Sequence, residues 1–328
     1  MEYKLDIKDK KLLYLLLQNS NTPLKRIASL VGLSKNAVSY RINKLKKDGI
    51  IERFHPVIDH HSLGYYTSDI FLKYRAKEIE EKKIRDYIIK NPNIVWATYL
   101  FGKWDLFIQI ITSEDFTEML KEILSHFSNN LEQYEAKTHV RRLKISHQIF
   151  EFSEKNLYIP IIEKKIQKIV EIDNIDRKIL SHLSNVDALS NYREIAKAVN
   201  ASPETVRNRV RRLYKEGVIL YSMPFINHRK IGLRSYIVNL IFRNMTSEKE
   251  KELEQYVNSN KLIKIAFRSQ EKLEIYFWVV IKDIEELEKL LREMKNRFFD
   301  EILDTSYNFV TEEIKLNYFP EALVKAKE

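Results

Sequence analysis

Two short segments of the chain concentrate the side chains best suited to bind a polyanion. Between Ser34 and Gly49 and between Ser202 and Gly217, apolar residues recur at spacings of three and four, which predicts two helices that each bury one face. The opposite faces carry polar and charged side chains. These are Lys35, Asn36, Ser39, Tyr40, Asn43, Lys44 and Lys47 in the first segment, and Glu204, Thr205, Arg207, Asn208, Arg211 and Arg212 in the second.

The chemistry of these two faces favours double-stranded DNA. Polar groups on the first turns of a helix can reach base edges in the major groove, and a lysine cluster at its end suits phosphates. The second face also offers arginine, which pairs bidentately with guanine. Glu204 either accepts from cytosine N4 or simply favours the positive end of its helix. A solvated surface is the alternative for any single amphipathic helix, so the surrounding sequence must decide.

The surrounding sequence is a repeat. Residues 27–64 superpose without a gap on residues 195–232, an offset of 168 residues. Each copy predicts a first helix capped by Asp6 or Asp173, a short second helix, and a third helix capped by Ser34 or Ser202. The stretches IIERFHPVID and VILYSMPFIN follow, and they predict a wing of two short strands turning back. Within the third helices, Arg41 and Arg209 are suited equally to a phosphate contact and to an ion pair inside the domain.

The remainder of each copy predicts the order βαββαβ, which is the ferredoxin-like arrangement. We therefore expect an α+β protein in which two winged helix-turn-helix domains alternate with two ferredoxin-like domains. The expected boundaries are residues 1–62 and 172–231 for the DNA-binding domains and 63–147 and 232–320 for the ferredoxin-like domains. A connecting helix is expected at 148–171, with a break at Pro160.

The third strand of each ferredoxin-like domain is apolar on both faces, at residues 106–111 and 273–280. Helices cover only one face of such a sheet, so the other face would be an unusually large exposed apolar patch. We expect that face to pack on another sheet. The partner is either the other half of the chain, which gives an intramolecular pseudo-dimer, or another copy, which gives a homo-oligomer.

Composition sets limits on the class of protein. The 328 residues carry a formal net charge of +10, which suits an anionic partner, and the chain has no cysteine, which excludes disulfides and thiolate chemistry. A charged beginning and the lack of a long apolar run lead us to expect a cytoplasmic protein with no membrane partner. The histidines form no tight ligand pair and no phosphate-binding loop is present, so no metal, no cofactor and no enzymatic activity are expected.

The segment LSKNAVSYRINKLKKDGIIERFHPVID, followed by GKWD, resembles the prokaryotic Lrp/AsnC family of transcription regulators. The resemblance covers nearly all of the chain, twice, whereas that family ordinarily has one unit. It implies that the ferredoxin-like domains are of the RAM type, that the protein regulates transcription, and that an amino-acid effector binds near Gly102, Trp104 and Asp105. Asp105 could equally stabilise a turn at the start of a strand. The second copy has lost this glycine and has Glu274 in place of the aspartate, so an effector site is doubtful there.

Because the two DNA-facing helices differ, we expect one chain to bind an asymmetric pair of half-sites. Two alternatives remain. Siroheme decarboxylases resemble these regulators in both domains and include fused forms, but they have a histidine-containing segment where this chain has Ala97–Leu100 and Gly102–Asp105. An architectural protein that coats DNA with little sequence preference is the other.

Overall fold

The computed structural model describes residues 2–75, 81–112, 116–128, 130–152, 157, 169–269, 273–320 and 323. The chain divides into two compact units. The helical unit draws on Met1–Tyr65, Gln148–Ile231 and Asn317–Glu328, and the barrel unit draws on Tyr66–His147 and Gly232–Leu316. The expected connecting helix and its break at Pro160 fall mostly on residues 153–156 and 158–168, which lie outside the described residues.

The helical unit contains the repeated three-helix motif. The first copy comprises α1 (Ile7–Asn19), α2 (Leu24–Val31) and α3 (Lys35–Lys47), and the second comprises α6 (Asn174–Asn185), α7 (Tyr192–Val199) and α8 (Pro203–Lys215). The predicted caps are confirmed: Asp6 accepts a hydrogen bond from the Asp9 amide at 2.7 Å, and Ser34 accepts one from the Ala37 amide at 3.1 Å. Each of these helices therefore begins at a side chain that accepts a hydrogen bond from a backbone amide of the first turn.

One strand follows each motif, and the two strands pair with each other. Strand β1 (Ile51–Ile58) and strand β6 (Ile219–Ile226) form an antiparallel pair in which Phe54 faces Pro224. The predicted wing of two strands turning back is therefore wrong, because each stretch is one continuous strand. Neither strand contains a glycine, asparagine or aspartate, the residues that tight hairpin turns favour at positive φ, so the backbone groups find partners in the other copy.

Matching contacts on either side of this strand pair tie the two motifs together. The amide of Asp59 donates to the Val218 carbonyl at 3.0 Å, and the amide of Asn227 donates to the Ile50 carbonyl at 2.9 Å. Both pairs of residues are related by the 168-residue offset. The two three-helix motifs thus belong to one folded unit with internal pseudo-twofold symmetry.

The barrel unit contains the two βαββαβ halves, as predicted. The first half comprises β2 (Tyr66–Tyr74), α4 (Glu81–Lys90), β3 (Ile94–Gly102), β4 (Leu106–Thr112), α5 (Phe116–Phe127) and β5 (Leu131–Ile145). The second comprises β7 (Arg234–Phe242), α9 (Ser247–Ser259), β8 (Ile263–Ser269), β9 (Glu274–Ile281), α10 (Ile284–Arg297) and β10 (Ile302–Leu316).

Eight strands of the described chain close into one barrel in the order β10-β3-β4-β2-β5-β8-β9-β7. The two halves meet edge to edge through antiparallel pairs β5–β8 and β10–β3. The doubly apolar strands are explained by this arrangement, because their second faces form a shared buried cluster that includes Phe71, Phe107, Ile237, Tyr276 and Trp278. The expected sheet partner therefore lies within the same chain.

Each half also caps a helix of the other. The Lys144 ammonium, on β5, donates to the carbonyls of Val257, Asn258 and Asn260 at the end of α9. The Lys315 ammonium, on β10, donates to the carbonyls of Ile88, Ile89 and Asn91 at the end of α4. A cation suits the negative end of a helix and satisfies carbonyls that have no partner within it, so the two halves are joined symmetrically at both edges.

Candidate nucleic-acid interface

Helix α3 presents most of its predicted DNA-facing side chains to solvent. Its inward residues Val38, Ile42 and Leu45 are buried in the domain core. On the opposite face Lys35, Asn36, Tyr40, Asn43, Lys44 and Lys47 are exposed, and Ser39 is half-buried. Tyr40 keeps 68% of its surface accessible, which is high for an aromatic residue and leaves its ring available to a partner.

The last turn of α3 is held by groups from the rest of the helical unit. Lys46 turns away from the exposed face and forms an ion pair with Asp187 at 2.9 Å. The Lys230 ammonium, from the second copy, donates to the Asp48 carbonyl at the helix end at 3.0 Å. Lys44 lies near the Tyr3 ring, and that phenol raises the pKa of the lysine. Lys44 and Lys47 therefore extend from a helix end of fixed position.

Helix α8 presents a different set. Val206, Val210 and Leu213 face inward, while Asn208 and Arg211 are exposed. Glu204 forms an ion pair with Arg207 at 2.7 Å along the same helix, and the Thr205 hydroxyl lies 2.8 Å from that of its cap Ser202. Glu204 therefore neutralises part of the positive charge on the first turn, and Arg207 is engaged by a carboxylate of its own helix.

Arg212 differs from the other predicted DNA-facing residues. Its guanidinium donates to the buried carboxylate of Asp176 on α6, and it lies 3.6 Å from Glu216. A guanidinium that satisfies a buried carboxylate is costly to remove from it. The structure thus gives Arg212 a role in fixing α8 to its scaffold.

Arg41 and Arg209 form ion pairs inside their own domains. Arg41 contacts Asp6 and Asp9, each at 2.7 Å, and Arg209 contacts Asp173 at 2.5 Å and Asp176 at 3.2 Å. These carboxylates form the capping boxes of α1 and α6. Each arginine therefore fastens its DNA-facing helix to the N-terminus of the first helix in the same motif.

These contacts leave a signature in the acid–base properties of the caps. Partial burial acts to raise the pKa of Asp6, but the Asp9 amide and the Arg41 guanidinium outweigh it and hold that pKa below its ordinary value. The pKa of Asp173 is likewise lowered, with burial opposed by the Asp176 amide and by Arg209. Both caps are therefore more acidic when the motif is folded.

The three predicted effector-binding residues are engaged by the barrel itself. Trp104 is completely buried in the cluster between the two sheets, and its amide donates to Asn308 at 2.9 Å. The Asp105 carboxylate accepts from the Lys73 ammonium at 3.0 Å and from the Tyr74 amide at 2.8 Å. A Cβ atom added to Gly102 would lie 2.8 Å from the Tyr307 carbonyl oxygen. All three positions thus have structural partners.

The sequence did not indicate a buried ion pair between the two sheets. The Lys137 ammonium lies 2.6 Å from a Glu274 carboxylate oxygen, and both side chains are almost completely buried. The only available signal was the position of Lys137 inside a predicted strand. Within the described residues, no helix is long and apolar enough to cross a membrane, and no group of three or more His, Asp or Glu side chains could hold a metal ion.

Comparison with known proteins identifies the repeated three-helix motif. A family model described as winged helix-turn-helix DNA-binding matches residues 5–52 and again 172–219. The HTH-type transcriptional regulator FL11 of Pyrococcus horikoshii is 30% identical over 122 residues, which are 37% of this chain and 80% of that protein. The regulatory protein AsnC of Haemophilus influenzae is 30% identical over 115 residues, 34% of this chain and 73% of that protein.

Among solved structures, the siroheme decarboxylase NirDL matches with a TM-score of 0.62 at 15% identity, covering 97% of this chain and 96% of its own. At that identity the likeness shows a shared fold alone. The curated relatives, by contrast, match about one half of this chain over most of their own length, and the DNA-binding motif occurs in both halves of the repeat here. The chain therefore belongs to the Lrp/AsnC family of DNA-binding transcription regulators, and it carries two copies of the family's domain pair in tandem.

Proposed function

We propose that this regulator binds DNA through α3 and α8 together, and that its site consists of two dissimilar half-sites. The observation that carries this proposal is the difference between two exposed faces at corresponding positions of the repeat. Asn43 corresponds to Arg211, and Tyr40 corresponds to Asn208. Side chains of such different hydrogen-bonding capacity contact different bases. The half-sites would lie about one helical turn, ~34–36 Å, or a multiple of that apart.

In this proposal the exposed residues divide by chemistry. Asn36, Ser39, Tyr40 and Asn43 contact base edges from α3, while Lys35, Lys44 and Lys47 contact phosphates. From α8, Asn208 and Arg211 contact bases, Arg207 exchanges Glu204 for DNA, and Thr205 contacts the backbone. Arg212 acts through its ion pair with Asp176, which fixes the angle of α8.

Binding-site selection followed by footprinting tests the asymmetry. The wild-type chain is expected to select a site without inverted symmetry. Asn43→Ala should weaken protection of one half-site and Arg211→Ala that of the other. Lys289→Ala, an exposed lysine of the barrel unit, is the control for lost charge. Selection of perfect inverted repeats by the wild type would contradict the proposal.

A grafted chain gives a sharper test. The changes Asn36→Glu, Ser39→Arg, Tyr40→Asn and Asn43→Arg place the exposed set of α8 on α3 at corresponding positions. Because the two faces then match, the selected site should become nearly palindromic. A selected sequence that does not change would mean that these side chains do not contact bases.

An amino-acid effector at Gly102, Trp104 and Asp105 stays a prediction, and the structural partners of these residues do not favour it. Thermal shift of the intact chain with a set of amino acids tests it, with Asp105→Ala as the comparison. A shift that is present in the wild type and lost in the variant would support an effector site at this turn.

A tetrapyrrole-modifying enzyme is the second candidate, because the similarity to siroheme decarboxylase NirDL extends over the full length of the chain. Purified protein incubated with an iron porphyrin distinguishes the two candidates. A regulator is expected to give no Soret shift and to bind a selected DNA site. A bound porphyrin together with loss of carboxyl groups from siroheme would favour the enzyme.

A further inference from the structure

Each half of the chain contributes a four-stranded sheet to the barrel, β3-β4-β2-β5 from the first half and β8-β9-β7-β10 from the second. The two sheets have the same strand order, so each position in one has a counterpart in the other. Asp69 faces Lys137 across β2 and β5, and Ile237 faces Asn308 across β7 and β10. Asp69 therefore corresponds to Ile237, and Lys137 corresponds to Asn308. The side chains at these corresponding positions differ in charge, which makes the inner surfaces of the two sheets unlike.

The strands beside them extend this correspondence. Gln109 faces Asp69, and Trp278 faces Ile237. Two residues before each along the chain are Phe107 and Tyr276, and two residues earlier again are Asp105 and Glu274. Phe107 thus corresponds to Tyr276, and Asp105 corresponds to Glu274.

The inner faces of the two sheets meet at two corresponding places, called junctions here, and one of these junctions is charged. The Lys137 ammonium of the first half contacts the Glu274 carboxylate of the second at 2.6 Å, with 1% of either side chain exposed. It also lies 4.8 Å from the centroid of the Phe71 ring and 5.0 Å from that of the Tyr276 ring. The Tyr276 hydroxyl donates to the buried Asp69 carboxylate at 2.7 Å.

The other junction is neutral. Asn308 stands in the place of Lys137, and its side-chain oxygen accepts from the Trp104 amide at 2.9 Å. Ile237 and Phe107 stand in the places of Asp69 and Tyr276, and both belong to the apolar cluster between the sheets. The Lys137–Glu274 and Asp69–Tyr276 contacts thus need side chains found only on the other sheet. Within its own half, Asp69 also accepts from Gln109 at 2.9 Å and Lys137 lies 3.8 Å from Glu135.

We propose that Asp69, Lys137, Glu274 and Tyr276 make each sheet specific for its partner within the chain. The same residues cause each sheet to reject a second copy of itself. Two second-half sheets would bring Glu274 against Asn308, leaving a buried carboxylate without its cation, and Tyr276 against Ile237, which accepts no hydrogen bond. Because a buried charge that loses its partner is strongly destabilising, pairing of like second halves is disfavoured.

Pairing of like first halves is disfavoured by a different contact. Asp69 would face Phe107, which has no hydroxyl to donate, and in a symmetric pair this loss occurs twice. Lys137 would meet Asp105, whose carboxylate already accepts from Lys73 and from the Tyr74 amide. The full set of contacts at the two junctions is therefore made only in the unlike pairing of the two halves.

A chain cut between its halves measures this preference directly. A protease site is introduced between Phe152 and Ile169, the folded chain is cleaved, and the fragments are unfolded, refolded and weighed by native mass spectrometry. The ratio of unlike to like complexes is expected to exceed the one-to-one ratio of random pairing by more than about a hundredfold. A random mixture of like and unlike complexes would overturn the proposal.

Two variants separate specificity from stability. Asp69→Ile with Tyr276→Phe gives both positions their counterpart side chains, so the preference for the unlike complex should fall at least about tenfold. Lys144→Met with Lys315→Met removes the helix-capping contact from both edges, so this control should weaken all complexes alike. An equal effect of both variants on the preference would also overturn the proposal.

The intact chain offers an independent measurement. Lys137→Glu and Glu274→Lys each place like charges together in the barrel, so each should lower the Tm by at least about 5 °C. The double variant restores opposite charges and should recover more than half of the summed loss. If the two losses simply add, the two residues do not recognise each other and the inference fails.

Discussion

Replacing Gly102 by alanine tests whether the turn at 102–105 is built for the barrel or for a ligand. Gly102 ends β3 with a φ of 147°, a conformation that residues with a Cβ rarely adopt. It lies against β10, where an added Cβ would be 2.8 Å from the Tyr307 carbonyl oxygen and 3.1 Å from the Asn308 side-chain oxygen. The closer of these neighbours is backbone, so it cannot move without shifting the strand.

The expected loss of stability follows from two contributions. The backbone conformation alone costs an alanine about 1–3 kcal/mol. Moving β10 away to relieve the close contact costs about 1–2 kcal/mol more, as overpacking does in a protein core. The free energy of unfolding should therefore fall by about 2–5 kcal/mol, which lowers the Tm by roughly 4–20 °C for a domain of this size.

Urea unfolding followed by circular dichroism measures this change, and Gly64→Ala is the matched control. Gly64 has a φ of 79°, but its added Cβ would meet only the Ile169 side chain at 3.4 Å, an ordinary contact. The control should lose only about 1–2 kcal/mol. If Gly102→Ala matches wild type in stability but abolishes a thermal shift with an amino acid, the structural explanation is refuted and Gly102 belongs to an effector site.

Three further results are expected. Affinity for a selected DNA site should fall steeply with salt, and Lys47→Ala should reduce the slope of log K against log salt by about 0.9; an unchanged slope would mean that Lys47 meets no phosphate. The low pKa of Asp6 contributes stability above its ordinary pKa of 3.8 that is lost as pH falls through the lower folded value; Arg41→Ala should reduce this acid dependence in a pH series of urea midpoints. Lys315→Met should lower the free energy of unfolding by about 1–3 kcal/mol, measured in urea against the exposed-lysine variant Lys289→Ala, whose value should match wild type.

Features encoded by neighbouring residues were predictable from the sequence. The caps at Asp6 and Ser34 and the buried stripe of α3 depend on side chains within one or two helical turns, so spacing was sufficient to predict them. The doubly apolar strands also indicated a second packing partner, which the closed barrel provides. These signals follow from local geometry and from the burial that apolar surface requires.

Features that depend on distant residues were not predictable. The stretch at 51–58 was predicted to fold back on itself, but its hydrogen-bond partners lie at 219–226. Arg212 has the spacing of an exposed residue, yet a carboxylate on another helix attracts it. A periodic pattern shows which face of a helix is exposed, and it does not show which exposed charges already have a partner.

This regulator and siroheme decarboxylase NirDL can share a fold because the residues that determine the fold are not the exposed residues that bind a partner. Strand registers, helix caps and the apolar cluster between the sheets fix the scaffold, and they tolerate much change at exposed positions. The exposed side chains of α3 and α8 face away from these contacts, so they can diverge between the two copies of the repeat without loss of packing in the core. In a symmetric dimer of identical chains, any change in one DNA-facing helix appears in both. Fusion of two units removes that constraint, and the unlike faces of Asn43 and Arg211 are the kind of divergence that it permits.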